Sequence, residues 1–236
     1  MNARERVIVA LDVPDLPALE DYLDRLEGEP AFYKVGLELF VAAGERALEA
    51  VRRRGGRLFL DLKLHDIPET VARAVTSARR FAPDFLTIHT AGGAEMMRRA
   101  VEAAGEARIL GVTVLTSLNQ GDLEADGVAG PVSAAVARRA RVAAAAGVAG
   151  LVCSPQEIGE AKSARSSAGS SLLAVVPGVR PAGASLGDQK RVATPASTIA
   201  AGADYLVIGR PIRDAAQPAE AFAAVVREVE QALARG

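Results

Sequence analysis

The chain has 236 residues, half of them hydrophobic but only 4% aromatic, and a formal net charge of -1. That length suits one large domain, and the shortage of aromatic residues leaves a core of Ala, Val, Leu and Ile, as in parallel strands covered by helices. Near-neutrality excludes a global attraction to nucleic acid or to an anionic membrane, so an anionic ligand needs a local site.

Short β-branched runs alternate with longer amphipathic ones along the chain. Residues 7–11 read as the first strand and 17–26 as the helix after it, with Asp15 as N-cap. Strand 32–35 precedes a helix over 37–53, which Gly55 and Gly56 end. Strand 57–62 leads to helix 68–81, and strand 85–89 to helix 94–103. Residues 108–115 form the fifth strand, followed by an Ala/Arg helix over 132–146 that Gly147 stops. The last units pair 150–153 with 155–163, 172–176 with 195–201 across a Gly/Pro loop, and 205–208 with 219–234. Eight such units in a chain of this length predict an α/β protein, a closed (β/α)8 TIM barrel with residues 1–236 as a single catalytic domain.

The first apolar run is too brief for a signal segment. The longest, 142–153, falls short of the roughly 18–20 residues that span a bilayer. A soluble cytoplasmic protein is expected. The single Cys153, in the apolar run Gly-Leu-Val-Cys, reads as a small core residue rather than a nucleophile or metal ligand.

In such barrels active sites collect where strands end and the following loops begin. Unusual polar residues gather at those positions here: Asp12, Lys34, Asp61 with Lys63, His89, Thr116 with Ser117, Ser154, Arg180 and Arg210. Lysine occurs only at 34, 63, 162 and 190, while arginine does most of the surface work. Two of the four lysines at strand ends point to a need for an ammonium in particular.

The densest cluster follows the third strand, in Asp61-Leu-Lys-Leu-His-Asp66-Ile-Pro68. Strand alternation puts Asp61 and Lys63 on one face and Leu60, Leu62 and Leu64 on the other. Burying a carboxylate beside an ammonium costs desolvation that folding alone rarely justifies. A structural salt bridge at a strand end is the plainer alternative. Asp66 has the wrong parity to join that pair and lies near the start of the next helix.

The loop from Pro177 to Lys190 is long and glycine-rich, and Val207-Ile-Gly-Arg-Pro211 follows the eighth strand. In these barrels the last two loops often form a phosphate site from backbone N–H groups and a fixed cation. Arg210 supplies a forked donor, Gly209 permits close backbone approach, and Gln189 can reach over a ligand as the loop closes.

The run Asp61-Leu-Lys-Leu-His-Asp-Ile-Pro-x-Thr-Val resembles the signature of the orotidine 5'-phosphate decarboxylases. Ala10-Leu-Asp12, Lys34-Val-Gly36, His89-x-x-Gly-Gly93, Thr113-Val-Leu-Thr-Ser117, Val152-Cys-Ser154, Pro177-Gly-Val-Arg180, Gly187-Asp-Gln189 and Gly202-Ala-Asp-Tyr-Leu-Val-Ile-Gly-Arg-Pro211 extend the likeness over the whole chain. The resemblance implies decarboxylation of orotidine 5'-monophosphate to uridine 5'-monophosphate, the final step of UMP biosynthesis, without a cofactor or metal. It implies Lys63 as proton donor in an alternating array with Lys34 and Asp61. Asp12 and Lys34 would bind the ribose, Thr116 and Ser117 would face the pyrimidine, and Arg180, Gln189, Gly209 and Arg210 would hold the phosphate. Asp66, Ile67 and Thr70 would reach the site of a neighbouring subunit in a homodimer.

Two positions depart from the family pattern. Glu69 stands where Asn is usual, at a helix start where a carboxylate complements the dipole. Thr90 stands where a small residue is usual. Metal-dependent sugar-phosphate enzymes of the same barrel type share the Asp-x-Lys-x-x-Asp core, but Ile67-Pro68 and the Thr-Ser pair fit the nucleotide enzyme better. A phosphate-binding barrel without activity would require a charged residue to be missing, and none of the expected ones is.

Overall fold

Runs of Val, Ile, Leu and Phe bounded by glycine or a helix cap form the strands, and the computed structural model describes them within residues 1–165, 169–181 and 193–235. In chain order the elements are α1 (Ala3–Arg6), β1 (Val7–Ala10), α2 (Leu16–Arg25), β2 (Phe32–Gly36), α3 (Leu37–Ala43), α4 (Glu45–Arg53), β3 (Arg57–Leu64) and α5 (Pro68–Ala78). They continue with β4 (Phe85–His89), α6 (Gly93–Ala103), β5 (Arg108–Val112), α7 (Gln120–Ala125), α8 (Val132–Ala145), β6 (Gly150–Val152) and α9 (Ile158–Ser163). The last are β7 (Leu173–Pro177), α10 (Pro195–Ala200), β8 (Tyr205–Ile208), α11 (Arg210–Arg213) and α12 (Pro218–Leu233). The strands pair in parallel and in sequence order, and β8 closes on β1, giving a (β/α)8 barrel. Among the described residues no helix is long and apolar enough to cross a membrane.

Alternation along each strand sorts side chains into the barrel interior or the layer under the helices. The interior is filled by Ile8, Ala10, Phe32, Phe59, Phe85, Leu110, Val175, Tyr205 and Val207, all buried. Phe85 lies at its centre, with ring centroids 5.1 Å from Phe32, 5.8 Å from Phe59 and 5.1 Å from Tyr205. The few aromatic residues are concentrated where four strands need bulk to plug the barrel. Two residues further along the same faces come Asp12, Lys34, Asp61 and Thr87. The interior therefore turns from apolar to charged within one step of the strand period.

Three local expectations change. The helix expected over 37–53 is two helices, because Gly44 between them takes φ 56° and ψ -135°, outside helical geometry. The fifth strand ends at Val112 rather than 115, since its neighbour β6 has only three residues and its last, Val152, pairs with Val112. The third strand runs on to Leu64, two residues past its expected end. Asp15 caps α2 as expected, its side chain accepting the Ala18 N–H at 2.9 Å.

Candidate active site

The charged ends of β1, β2 and β3 converge at the C-terminal mouth of the barrel. Lys34 is buried, with Nζ 2.9 Å from Asp12 Oδ1 and 3.5 Å from Asp61 Oδ2. The same Asp61 oxygen takes Lys63 Nζ at 2.9 Å, and Oδ1 accepts the Thr87 hydroxyl at 2.9 Å. The result is a line of alternating charge, Asp12–Lys34–Asp61–Lys63, shared between three strand ends. A Cβ on Gly36 would stand 2.8 Å from Lys34 Nζ and 3.3 Å from Asp12 Oδ1, so the glycine leaves the space that the ammonium occupies.

These neighbours decide the protonation states. Burial disfavours the charge on Lys34, but Asp61 and Asp12 outweigh it and raise its pKa above the usual lysine value. Burial likewise works against the Asp61 carboxylate, yet Lys34 and Lys63 hold it below the ordinary carboxylate range. Cys153 behaves as a core residue. It is buried, and burial, followed by Glu157 and Glu160, pushes its thiol up to about 12.

Regular alternation stops at Lys63, whose φ is 50°. A left-handed conformation costs a non-glycine residue about 1–3 kcal/mol and persists only where its surroundings enforce it. The register between β3 and β4 shifts between Leu60 and Leu64. Across that gap the Lys63 N–H donates to Thr87 Oγ1 at 2.9 Å. Asp61 and Lys63 thus meet at a kink held by Thr87, not along an ideal strand.

Beside the array lies a cavity of about 220 Å³ bordered by Lys34, Asp61, Lys63, Val112, Val114 and Thr116. A second, of about 140 Å³, is bordered by Asp12, Gly178, Arg180, Gly209 and Arg210. Lys34, Pro177 and Val207 border both, so the two cavities adjoin. Together they make a mouth with ammonium groups at one end and guanidinium groups at the other. Ser117 is exposed on the turn after Thr116, outside the residues bordering the first cavity. Gln189 and most of its loop lie outside the described residues.

Asp66, Ile67 and Thr70 are exposed at the outer edge, between the end of β3 and the first turn of α5. Asp66 Oδ1 accepts the Ile67 N–H at 2.6 Å. Within this chain Lys63 pairs with Asp61, and among the described residues Asp66 forms no ion pair.

Thr87 was not singled out from the sequence, though a signal for it exists. It stands two residues after Phe85, as Asp61 does after Phe59 and Lys34 after Phe32. Two arginines escape any such rule. Arg213 Nη1 donates to the Asp12 carbonyl and Arg139 Nη1 to the Thr113 carbonyl, each at 2.6 Å. They brace the backbone where β1 and β5 enter the site.

The two departures from the family pattern now have physical accounts. Glu69 bonds Arg73 at 2.8 Å and Arg99 at 2.6 Å, tying α5 to α6, and these hydrogen bonds lower its pKa. Thr90 is buried and donates its hydroxyl to the Val112 carbonyl at 2.8 Å. Its methyl group fills the space beside Gly111, where a Cβ would lie 2.7 Å away.

The model of the family described as "Orotidine 5'-phosphate decarboxylase / HUMPS family" matches residues 5–225. The chain belongs to that family. An orotidine 5'-phosphate decarboxylase of Anaeromyxobacter sp. (strain K) is 52% identical over 95% of this chain and 98% of its own length. One from Thermobifida fusca is also 52% identical, covering 95% of this chain and 96% of its own. The crystal structure of orotidine 5'-phosphate decarboxylase from Lactobacillus acidophilus superposes with a TM-score of 0.81 at 33% identity, covering 95% of this chain and 99% of that one. Family membership and fold thus agree on a (β/α)8 barrel.

Proposed function

We propose that this chain is a carboxy-lyase that converts orotidine 5'-monophosphate to uridine 5'-monophosphate and CO2, acting in the cytoplasm as one catalytic domain at the end of UMP biosynthesis. The observation that carries this reading is the Asp12–Lys34–Asp61–Lys63 line on the wall of a cavity that adjoins Arg180 and Arg210. The guanidinium end suits the phosphate, Asp12 and Lys34 the ribose hydroxyls, and the cavity beside Thr116 the pyrimidine. Ser117 and Gln189 complete the base and phosphate contacts in this reading.

The chemistry follows from what the reaction lacks. Breaking the C6–carboxylate bond leaves an electron pair on a carbon with little delocalisation. An ammonium fixed beside that carbon stabilises the developing charge and then donates a proton from Nζ to C6, while CO2 departs. Lys63 fills this role, oriented by Asp61 at 2.9 Å. Binding of the distant phosphate supplies energy to order the array around the reacting carbon. The charged groups themselves do the work, so the reaction needs no cofactor. Asp12 and Asp61 are already engaged by Lys34, an arrangement better suited to ordering ammonium groups than to holding a metal ion.

Incubating metal-free protein with orotidine 5'-monophosphate, and following loss of substrate absorbance with release of CO2, tests the reading. Turnover that survives chelation is expected. Turnover only after a divalent metal is restored would overturn the metal-free mechanism, and no turnover of the nucleotide with or without metal would favour a sugar-phosphate substrate instead.

The active unit in this reading is a homodimer. Support comes from Asp66, Ile67 and Thr70, which face outward, with Ile67 66% exposed. Leu37 and Val41 are also exposed, and Phe40, Leu62 and Leu64 border an apolar groove between α3 and α5. Asp66 would then supply the second carboxylate beside the partner's lysine. Mixing Lys63→Ala chains with Asp66→Ala chains should restore part of the activity through hybrid dimers carrying one intact site. No recovery after verified subunit exchange would remove Asp66 from the neighbouring site.

A further inference from the structure

The chain has two histidines, and they stack on each other. His65 follows β3 and His89 ends β4, and their rings lie 5.3 Å apart with an interplanar angle of 20°. His89 Nδ1 accepts the Ala91 N–H at 3.4 Å, which opens the short 3-10 turn Thr90–Gly92. Burial, then His65, Arg139 and Lys63, lower its pKa to about 4, so at neutral pH the ring is uncharged and free to accept that bond. The turn is shaped for the partner ring. A Cβ on Gly92 would lie 3.1 Å from His65 Cδ2 and 2.1 Å from Met96 Sδ.

The stack sits where the backbone has lost its regular support. Lys63 is left-handed, Leu64 makes the last pairing of β3, with Ile88, and α5 begins only at Pro68. Residues 65–67 between them are exposed, and among the described residues the Ile67 N–H bonds only to the neighbouring Asp66 side chain. The His65 ring is therefore the tie between this segment and the sheet. It lies two residues after Lys63 and one before Asp66.

We propose that the His65–His89 stack is a positioning clamp, holding the left-handed Lys63 against Asp61 and setting the direction in which Asp66 leaves the barrel. Neither imidazole needs to touch substrate. The effect on turnover rests on the decarboxylase reading above, whereas the effect on the backbone does not. Ring stacking, not proton transfer, is the property that matters, so another flat ring at position 65 should serve.

His65→Ala and His65→Phe separate these roles. In His65→Ala, kcat is expected to fall by about 10²-fold, the scale of an ångström-sized misplacement of a reacting group, with KM little changed. Exchange of the Lys63 amide, bonded to Thr87, should accelerate in the same variant. His65→Phe should restore both the rate and the amide protection. If His65→Ala proves unstable, His65→Leu against His65→Phe offers the same comparison at that position, an aliphatic side chain against a flat ring. Wild-type kcat and exchange in His65→Ala would overturn the clamp. So would a His65→Phe variant as slow as His65→Ala with the Lys63 amide fully protected, because the imidazole nitrogens would then be the working groups. Should the wild-type protein fail to decarboxylate the nucleotide, the functional reading falls while amide exchange still decides the clamp.

Discussion

Both ends of this barrel carry buried or half-buried ion pairs, and they do different things. At the N-terminal end Arg57 Nε bonds Asp84 Oδ1 at 2.9 Å, and Asp84 Oδ2 accepts the Leu58 N–H at 3.0 Å. Arg57 lies 4.2 Å over the Phe32 ring, and Arg108 4.5 Å over that of Phe85. There the carboxylate ties two strands and the cations cap the aromatic plug, so the charges serve the fold. At the C-terminal end Lys34, Asp61 and Lys63 crowd together beside a cavity, and Lys63 sits on a strained backbone. An ion pair alone does not mark a site. What sets the C-terminal end apart is that the carboxylate and both ammonium groups themselves border the cavity, and that one of them, Lys63, carries the left-handed backbone.

The contrast can be broken from either end. The largest effect is expected at Lys63. Lys63→Ala should lower kcat by at least about 10⁴-fold, since it removes both proton donor and electrostatic stabiliser, while uridine 5'-monophosphate still raises the melting temperature. Substantial turnover would remove Lys63 as the donor. Arg210→Ala comes next. Losing charge-assisted hydrogen bonds worth about 1.5–3 kcal/mol should weaken substrate binding by roughly 10- to 100-fold, read as KM or as nucleotide affinity. Unchanged affinity would count against the phosphate assignment.

The opposite end should give the opposite phenotype. Asp84→Ala is expected to destabilise by about 1–3 kcal/mol in urea unfolding, through the lost bonds to Arg57 and Leu58, with kcat close to wild type. A fall in kcat without a loss of stability would erase the division between the ends.

The smallest effect is the pH dependence of stability. His89 titrates at about 4 when folded, against the usual 6.5. Between those values the unfolded chain binds the extra proton, so stability falls as pH drops through that window. His89→Gln should flatten the decline in melting temperature there. The Asp61 contribution lies lower. Its depressed pKa means stability present above the usual 3.8 and lost only as pH falls below it, so the two groups can be told apart.

Much of this was legible in the sequence because it depends on short-range periodicity. Alternating apolar runs led to the eight-unit barrel, and the polar residues at strand ends led to Asp12, Lys34 and Asp61. Thr87 is equally legible, two residues beyond an interior Phe, although a threonine in a strand carries no chemical signal by itself. Arg213 and Arg139 were not legible. Each acts on a carbonyl of another segment, and nothing in 28 basic residues marks which ones reach such a partner.

The fold class, the lysine–aspartate cluster at the strand C-termini and the residues facing inward there follow from strand alternation and the β/α repeat, which are local properties of the chain. How those charges meet is a property of the packed barrel. The left-handed Lys63, the Thr87 bridge and the stacked histidines arise between strands, where packing overrides local backbone preference. For the same reason alternation named the right neighbours, Asp61 and Lys63, while assuming a straighter strand than the one that joins them.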